Sequence, residues 1–500
     1  MIIDSKQLPV GWSVLTIEEI ADVNPRLNKA GIPDDLNVSF VPMAAVGAAD
    51  GSVDVSGERL FGEVKKGFTP FQEGDVLFAK ITPCMENGKM AIVPQVENGI
   101  GFGSTEFHVL RPKEGIDARY IYYYVSSKNF RGEAERYMSG AVGQKRVTTP
   151  YLKESEIPVA PPDQQKRIVA EIEKQFSRLD EAVANLKRVK ANLKRYKAAV
   201  LKAAVEGRLV ETEAELARRQ GRDFGTGEQL LQRILKTRRS QWQGKGKYKE
   251  PAAPDMTGLP ELPEGWVWAS LDQLTKDSLI GLDRGRNQQN VDGIGVPYIK
   301  MNNVTMGGEV TGDDLVYVNA SEEEKIKFRL ERNDLLFNTR NSKELVGKVG
   351  LVGTLSKDSI YNNNLMRIRL ANGVTPNFIC SQMCSNSFRS RMELVKKATT
   401  NVAAVYAKDL FPLQLALTSV NEQHRIVTEV DRRLSLAREV EIQVETNLTR
   451  AERLRQSILQ QAFTGRLVPP EPIGEPACRL LDGGQKGGKK KITNKESISP

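Results

Sequence analysis

Between Asp163 and Val210, apolar and small residues recur in steps of three and four. They are Val169, Ile172, Phe176, Leu179, Val183, Leu186, Leu193, Val200 and Ala204, with Lys190 and Lys197 breaking the stripe. Between Asn421 and Val468 the rhythm returns at Val427, Val430, Leu434, Ala437, Val444, Leu448, Ala451, Ile458 and Ala462, broken by Glu441 and Arg455. A period near 3.5 residues predicts a narrow seam for another helix rather than the broad inner face of a globular one. The two stretches align without a gap at an offset of 258, and 14 of the 48 positions are identical, so they are copies of one element. Asp163 and Asn421 stand as candidate N-caps, Gly207 and Gly465 as candidate C′ glycines. Each helix would span roughly 65 Å at about 1.5 Å per residue. Matched caps predict that the two helices pack on each other within one chain.

Ahead of each helix the pattern shortens to β-rich runs between Gly, Asn and Pro turns: Ser39–Met43, Asp75–Ile81 and Phe107–Leu110, then a helical stretch at Ala118–Ser127. The opening Leu8-Pro9-Val10-Gly11-Trp12 returns as Leu262-Pro263-Glu264-Gly265-Trp266. Gly74-Asp75-Val76-Leu77-Phe78 returns as Asn333-Asp334-Leu335-Leu336-Phe337, Gly88-Lys89 as Gly347-Lys348, and Phe130-Arg131 as Phe388-Arg389. Phe78 and Phe337, inside the runs, read as core. The expected fold is α+β: two mixed α/β domains related by an internal repeat, joined by two long antiparallel α-helices packed as a coiled coil. The boundaries expected are 1–158 for the first domain, 159–210 for the first helix and 211–258 for a charged, partly helical linker that reads as a tether. They continue with 259–416 for the second domain, 417–468 for the second helix and 469–500 for a disordered basic tail.

Composition sharpens this only in part. Five hundred residues, 40% of them hydrophobic, suffice for several cores. Lys and Arg number 72 against 63 Asp and Glu, a net charge of +9 that suits a polyanionic partner without requiring one. Basic residues crowd the end of the first helix (Lys187, Arg188, Lys190, Lys194, Arg195), where a solvated helix face explains them equally well. Four cysteines (Cys84, Cys380, Cys384, Cys478) form no metal-like pairs or disulfide ladder, which fits a reduced, cytoplasmic compartment. Met1–Trp12 lacks a signal-peptide pattern, and no apolar run approaches the ~20 residues of a membrane span.

Catalytic signatures are missing from the sequence. His108 and His424 are the only histidines, and neither neighbours a nucleophile or a metal-ligand cluster. Gly99-Ile100-Gly101-Phe102-Gly103 has the wrong spacing for a dinucleotide turn, and Gly483 to Lys490 lacks the Ser or Thr of a phosphate loop. A non-catalytic protein is expected.

The paired openings, the Gly-Asp-Val-Leu-Phe-Ala-Lys strand, the Gln-x-Arg-Ile-Val helix starts and the Gly-Arg-Leu-Val helix ends together resemble the specificity (HsdS) subunit of bacterial type I restriction–modification systems. Asn338-Thr339-Arg340-Asn341-Ser342, followed by Glu344-Leu345-Val346-Gly347, is similar to a loop of many such second domains. The likeness runs to about Val468. It implies two target-recognition domains, each reading one half of a split, asymmetric double-stranded DNA site. It also implies two long helices that set their separation and dock two modification (HsdM-type) subunits. Those partners carry S-adenosylmethionine and methylate adenine, while restriction (HsdR-type) subunits translocate and cleave DNA with ATP and Mg. This chain would bind no cofactor or metal itself.

Loops after the shared strands are the candidate DNA contacts, because groove reading needs donors and acceptors on protruding segments with Lys or Arg nearby for phosphates. In the first domain these are Lys80, Thr82, Asn87 and Lys89, with the turn of Gln144, Lys145 and Arg146. In the second they are Arg340, Asn341, Ser342 and Lys348, with Thr399, Thr400 and Asn401. Each also reads as an ordinary exposed loop side chain. Two other readings stay open at this point: a coiled-coil interaction protein with two protein-binding lobes, and a specificity subunit serving one fused nuclease–methylase.

Overall fold

The computed structural model describes residues 8–141, 143–244, 246–355, 358–399, 402–469 and Ala477. The chain divides into two compact units, residues 1–186 with 445–500, and residues 187–444. The long helices are Pro162–Val205 and Val420–Phe463, 44 residues each. Each unit therefore holds the beginning of one helix and the end of the other.

In the first unit Ile168, Val169, Ile172 and Phe176 share a core with Ile458, Leu459, Ala462 and Phe463. In the second, Val200 and Ala204 share one with Ile426 and Val430. Start against end within each unit is antiparallel packing. Every seam position of both copies is buried or half-buried. The breaks in the stripe have partners: Lys197 pairs with Glu441, and Arg455 pairs with Asp180 while its guanidinium lies 4.3 Å from the Phe176 ring centre. A long basic stem can cover apolar surface and still carry its charge to the rim.

The helix ends follow the glycine expectation. Gly207 and Gly465 adopt φ of +66° and +71°, and Arg208 N–H donates to Ala203 O as Arg466 N–H does to Gln461 O, the hydrogen bond of a Schellman cap. The N-caps are a correction. Helical bonding begins at Pro161 and Ser419, since Gln165 N–H donates to Pro161 O and Gln423 N–H to Ser419 O. The Ser419 hydroxyl accepts from Glu422 N–H, so Asp163 and Asn421 lie two residues inside, within the first turn, where a polar side chain still favours the positive helix end.

The first unit carries a four-stranded antiparallel sheet ordered Ala21–Val23, Phe107–Pro112, Val76–Ala79, Met90–Ile92. The second repeats it as Thr275–Ile280, Leu365–Leu370, Leu335–Asn338, Val349–Leu351. Val76–Ala79 and Leu335–Asn338 are buried at every position, which explains their unbroken apolar reading. Phe78 and Phe337 are core, as expected. A second sheet in each unit contains one parallel pair, Asn37–Val41 with Gly101–Gly103 and Val296–Ile299 with Ile360–Tyr361. A two-stranded ribbon, Ser13–Thr16 with Glu156–Val159 and Val267–Ser270 with Gln414–Leu417, leads from the domain into its long helix.

The connector after the first helix is partly helical, as expected, but it is docked rather than a loose tether. It forms helices Glu213–Gln220 and Gly227–Ser240, and Leu230, Leu231 and Ile234 are buried in the second unit's core. Three apolar side chains on one helical face outweigh the charged composition around them. The expected tail, 469–500, lies outside the described residues except for Pro469 and Ala477.

Candidate nucleic-acid interface

The repeated motifs build a scaffold beneath the loops. Asp75 and Asp334, both nearly fully buried, take the forked guanidinium of Arg111 and Arg369 from the neighbouring strand, with Nε to Oδ1 at 2.8 Å in both. The same carboxylates accept from Gln72 N–H and Glu331 N–H at 2.9 Å, pinning the turn into the strand. Gly74 and Asn333 sit in that turn at φ +82° and +72°, the left-handed region that Gly and Asn tolerate.

At the helix starts, buried Gln165 accepts from Asp117 N–H at 3.1 Å and donates to Ala160 O at 2.8 Å. Gln423 repeats this with Thr375 N–H and Thr418 O at 2.8 and 2.9 Å. Trp12 Nε1 donates to Gln164 Oε1 at 3.1 Å and Trp266 Nε1 to Glu422 Oε1 at 2.9 Å. The Pro and Trp of each opening also crowd the glycine ending the other long helix, Trp12 against Gly465 and Trp266 against Gly207. Opening, helix start and helix end are thus one cluster in each unit.

On this base the loops converge. In the first unit Thr82 N–H donates to Lys145 O, and Val147 N–H to Lys80 O, both at 2.9 Å. Ile81 bridges to Arg146, which bridges to Ser139. In the second unit Arg340 pairs with Ala404, which also pairs with Lys397, and Val405 N–H donates to Thr339 O at 3.0 Å. Segments some 60 residues apart in sequence thereby form one small face at the same place in both repeats.

The expected residues divide by what their side chains do. Asn87, Gln144, Lys145, Arg340 and Thr399 are exposed; Lys80 and Thr82 are half-buried. Arg146 forks onto Glu106 at 2.8 and 2.9 Å, and the pair pushes the Glu106 pKa down and that of Arg146 up. Asn341 and Ser342 are half-buried: Asn341 donates to buried Asn338 and accepts from Ser342 N–H, both at 2.9 Å. Thr399 folds its hydroxyl back onto Val402 O. Thr400 and Asn401 lie outside the described residues.

Lys89 and Lys348 turn inward. Lys89 Nζ donates to Met43 O and Val46 O at 3.0 and 2.9 Å, and Lys348 Nζ to Met301 O and Val304 O at 2.6 Å each. Lys348 is 7% exposed, and burial pushes its pKa down. These lysines tie the loop after the parallel strand to the sheet, which is why Gly-Lys recurs.

Lys397 was not anticipated. It flanks Ala404 opposite Arg340, with its ammonium 5.6 Å from the Tyr406 ring centre and 3.7 Å from Asp409. Only the strand pairing brings it beside Arg340; nothing in its local sequence signals that. His108 is a structural residue: Nε2 lies 2.9 Å from Val147 O and Nδ1 3.1 Å from Asn24, and burial pushes its pKa down. Among the described residues no cluster of three His, Cys, Asp or Glu could hold a metal ion, and no helix is long and apolar enough to cross a membrane.

Two α/β units on one repeat each lift a polar loop face off a four-stranded sheet. Residues 9–195 match the family model described as the type I restriction modification DNA specificity domain. Along most of its length the chain is similar to specificity subunits of type I restriction–modification systems. It is 27% identical to the EcoAI specificity subunit of Escherichia coli over 484 residues, covering 88% of this chain and 80% of that one. It is 26% identical to the EcoKI subunit of E. coli K12, covering 77% and 76%, and 38% identical to the EcoEI subunit over 177 residues, covering 35% and 29%. The fold is shared with the HsdS subunit from Thermoanaerobacter tengcongensis, at a TM-score of 0.55 and 18% identity over 93% of this chain and all of that one. It is also shared with a chain from an assembled type I system, at a TM-score of 0.63 and 21% identity over 92% and 99%.

Proposed function

We propose that each unit reads one half of a bipartite, asymmetric DNA site through its converged loop face, residues 1–158 and 259–416 being the two target-recognition domains. Contacts fall to Lys80, Thr82, Asn87, Gln144, Lys145 and Arg146 in the first domain. In the second they fall to Arg340, Asn341, Ser342 and Lys397, with Thr399, Thr400 and Asn401 next in the sequence. Arg suits guanine and Asn or Gln suits adenine through paired hydrogen bonds, and Lys holds phosphates. Lys89 and Lys348 are left to their backbone roles.

The observation that carries this reading is the coincidence of place with divergence of sequence. Both faces rise from the same repeat positions on the same buried Asp–Arg base, yet Lys80-Ile81-Thr82 stands against Thr339-Arg340-Asn341. The long helices, residues 159–210 and 417–468, would fix the half-site spacing, since half-sites about one 34 Å turn apart require a stiff spacer. Their internal repeat offers two equivalent docking faces for two modification subunits. S-adenosylmethionine would be carried by those partners, and ATP with Mg by restriction subunits, all acting in the cytoplasm.

Exchanging residues 8–155 for the first domain of another specificity subunit, then mapping methylated adenines, tests the reading. One altered half-site with the other unchanged is the expected result; alteration of both would refute modular readout. Inserting two helical turns in one long helix should change the spacer or abolish assembly, and normal spacing at full activity would remove the ruler role.

A further inference from the structure

At the end of the second long helix the first unit has a cavity of about 410 Å³, within the roughly 300–1,000 Å³ of sites that hold small groups. Tyr124 and Phe130 line it with ring centres 5.5 Å apart, and Tyr137 and Tyr151 line it stacked at 5.0 Å and 21°. Three carboxylate residues, Glu133, Glu154 and Glu156, also line it, and among the described residues no Lys or Arg does. Burial pushes the Tyr124 phenol pKa up, and neighbouring Glu133, Tyr151 and Glu156 add to it, so ring and carboxylates share one space.

The second unit shows what the repeat puts in this place. At the offset of 258, Phe388 stands for Phe130, Arg391 for Glu133 and Gln414 for Glu156. The Arg391 guanidinium lies 5.9 Å from the Phe388 ring centre and 5.8 Å from that of Trp268, and Nη2 donates to Gln414 O at 3.0 Å. The counterpart carbonyl, Glu156 O, accepts from the Tyr124 hydroxyl at 2.8 Å. One repeat thus carries a cation against aromatic rings, and the other carries a carboxylate at that position with a cavity beside it.

We propose that the cavity receives an arginine side chain of a partner polypeptide, its guanidinium against the aromatic rings and facing Glu133, Glu154 and Glu156. The second unit supplies that group from its own chain through Arg391; the first takes it from another. Charge and shape both select it: three carboxylates attract a cation, and a planar, weakly hydrated guanidinium stacks on rings better than an ammonium does. The assignment holds whichever residues meet DNA.

Saturation-transfer NMR on the unaltered full chain, titrated with N-acetyl-arginine methylamide and with its neutral citrulline analogue, tests it. The arginine probe should bind in about the millimolar range, and the citrulline probe about tenfold more weakly for want of its charge. This comparison needs no variant. Glu133→Arg, which gives the first unit the side chain that the second has, should weaken arginine binding at least about tenfold by filling the cavity from within. Tyr137→Ala, at a position 59% exposed, should weaken it about threefold without lowering the melting temperature. Equal binding of the two probes, binding of neither, or arginine binding that survives Glu133→Arg overturns the proposal. Tighter binding of N-acetyl-lysine methylamide or of ethylguanidinium also overturns it, the first by selecting an ammonium and the second by assigning the cavity to a free small molecule.

Discussion

In the first unit Gln165 joins Asp117 N–H to Ala160 O; in the second Gln423 joins Thr375 N–H to Thr418 O. Asp75 and Arg111 correspond to Asp334 and Arg369 in the same way. The outer face does not correspond. Arg146 is held by Glu106 in the first unit, while the second presents Arg340 and Lys397 on either side of Ala404. Burial of the opening differs too, since Leu230 and Leu231 of the connector share the buried core of Trp266 in the second unit, while Trp12 of the first is half-buried. Buried polar contacts tolerate little change because a lost partner leaves a desolvated group, whereas an exposed side chain can be replaced at little cost to folding. A duplicated scaffold therefore stays fixed where it is dry and diverges where it is exposed.

The largest expected effect separates the two tryptophans. Trp266→Ala should destabilise by about 3–5 kcal/mol, through lost packing and an unpaired Glu422. Trp12→Ala, at a half-buried site, should cost about 1–2 kcal/mol less. Denaturant unfolding of both variants checks this, and equal losses would break the difference in burial.

Next come the glutamines. Gln165→Ala and Gln423→Ala should each cost about 1–3 kcal/mol, by stripping a buried N–H and a buried C=O of their shared partner. Values differing by more than the experimental error would end the equivalence of the two helix starts.

Arg340→Ala should weaken binding to the cognate duplex by about 1–3 kcal/mol with loss confined to one half-site. Lys348→Ala should instead lower the melting temperature of the chain, because its ammonium ties down two backbone carbonyls. Footprinting and calorimetry on the pair distinguish contact from scaffold. Identical profiles would erase that distinction.

The smallest effect is one of pH. Burial pushes the Glu213 carboxyl up, but the Arg425 and Arg222 guanidiniums outweigh it and hold its pKa below the ordinary 4.5. A depressed folded-state pKa contributes stability above about pH 4.5, and that contribution is lost as pH falls through the folded value. Glu213→Gln should flatten this acid-side loss. Unfolding curves at neutral pH and below pH 4 measure the slope, and an unchanged slope would put the linkage elsewhere.

The duplicated period with its flanking glycines determined the two long helices, their shared seam and their ends, and the repeated motifs determined the pairing of two related domains. While the antiparallel direction is decided by the cores, where the start of one helix packs against the end of the other, two 3.5-residue stripes in one chain bury each other. The core status of Phe78 and Phe337 was legible for the same reason, as were the two loop regions of each candidate face. Tertiary structure decided what the motifs are for. That Gln165 and Gln423 are buried clasps, that Lys89 and Lys348 point inward, and that Lys397 stands beside Arg340 all depend on segments distant along the chain meeting across a sheet. Local pattern records which face of an element is dry; it does not record which distant backbone group a polar side chain will find there.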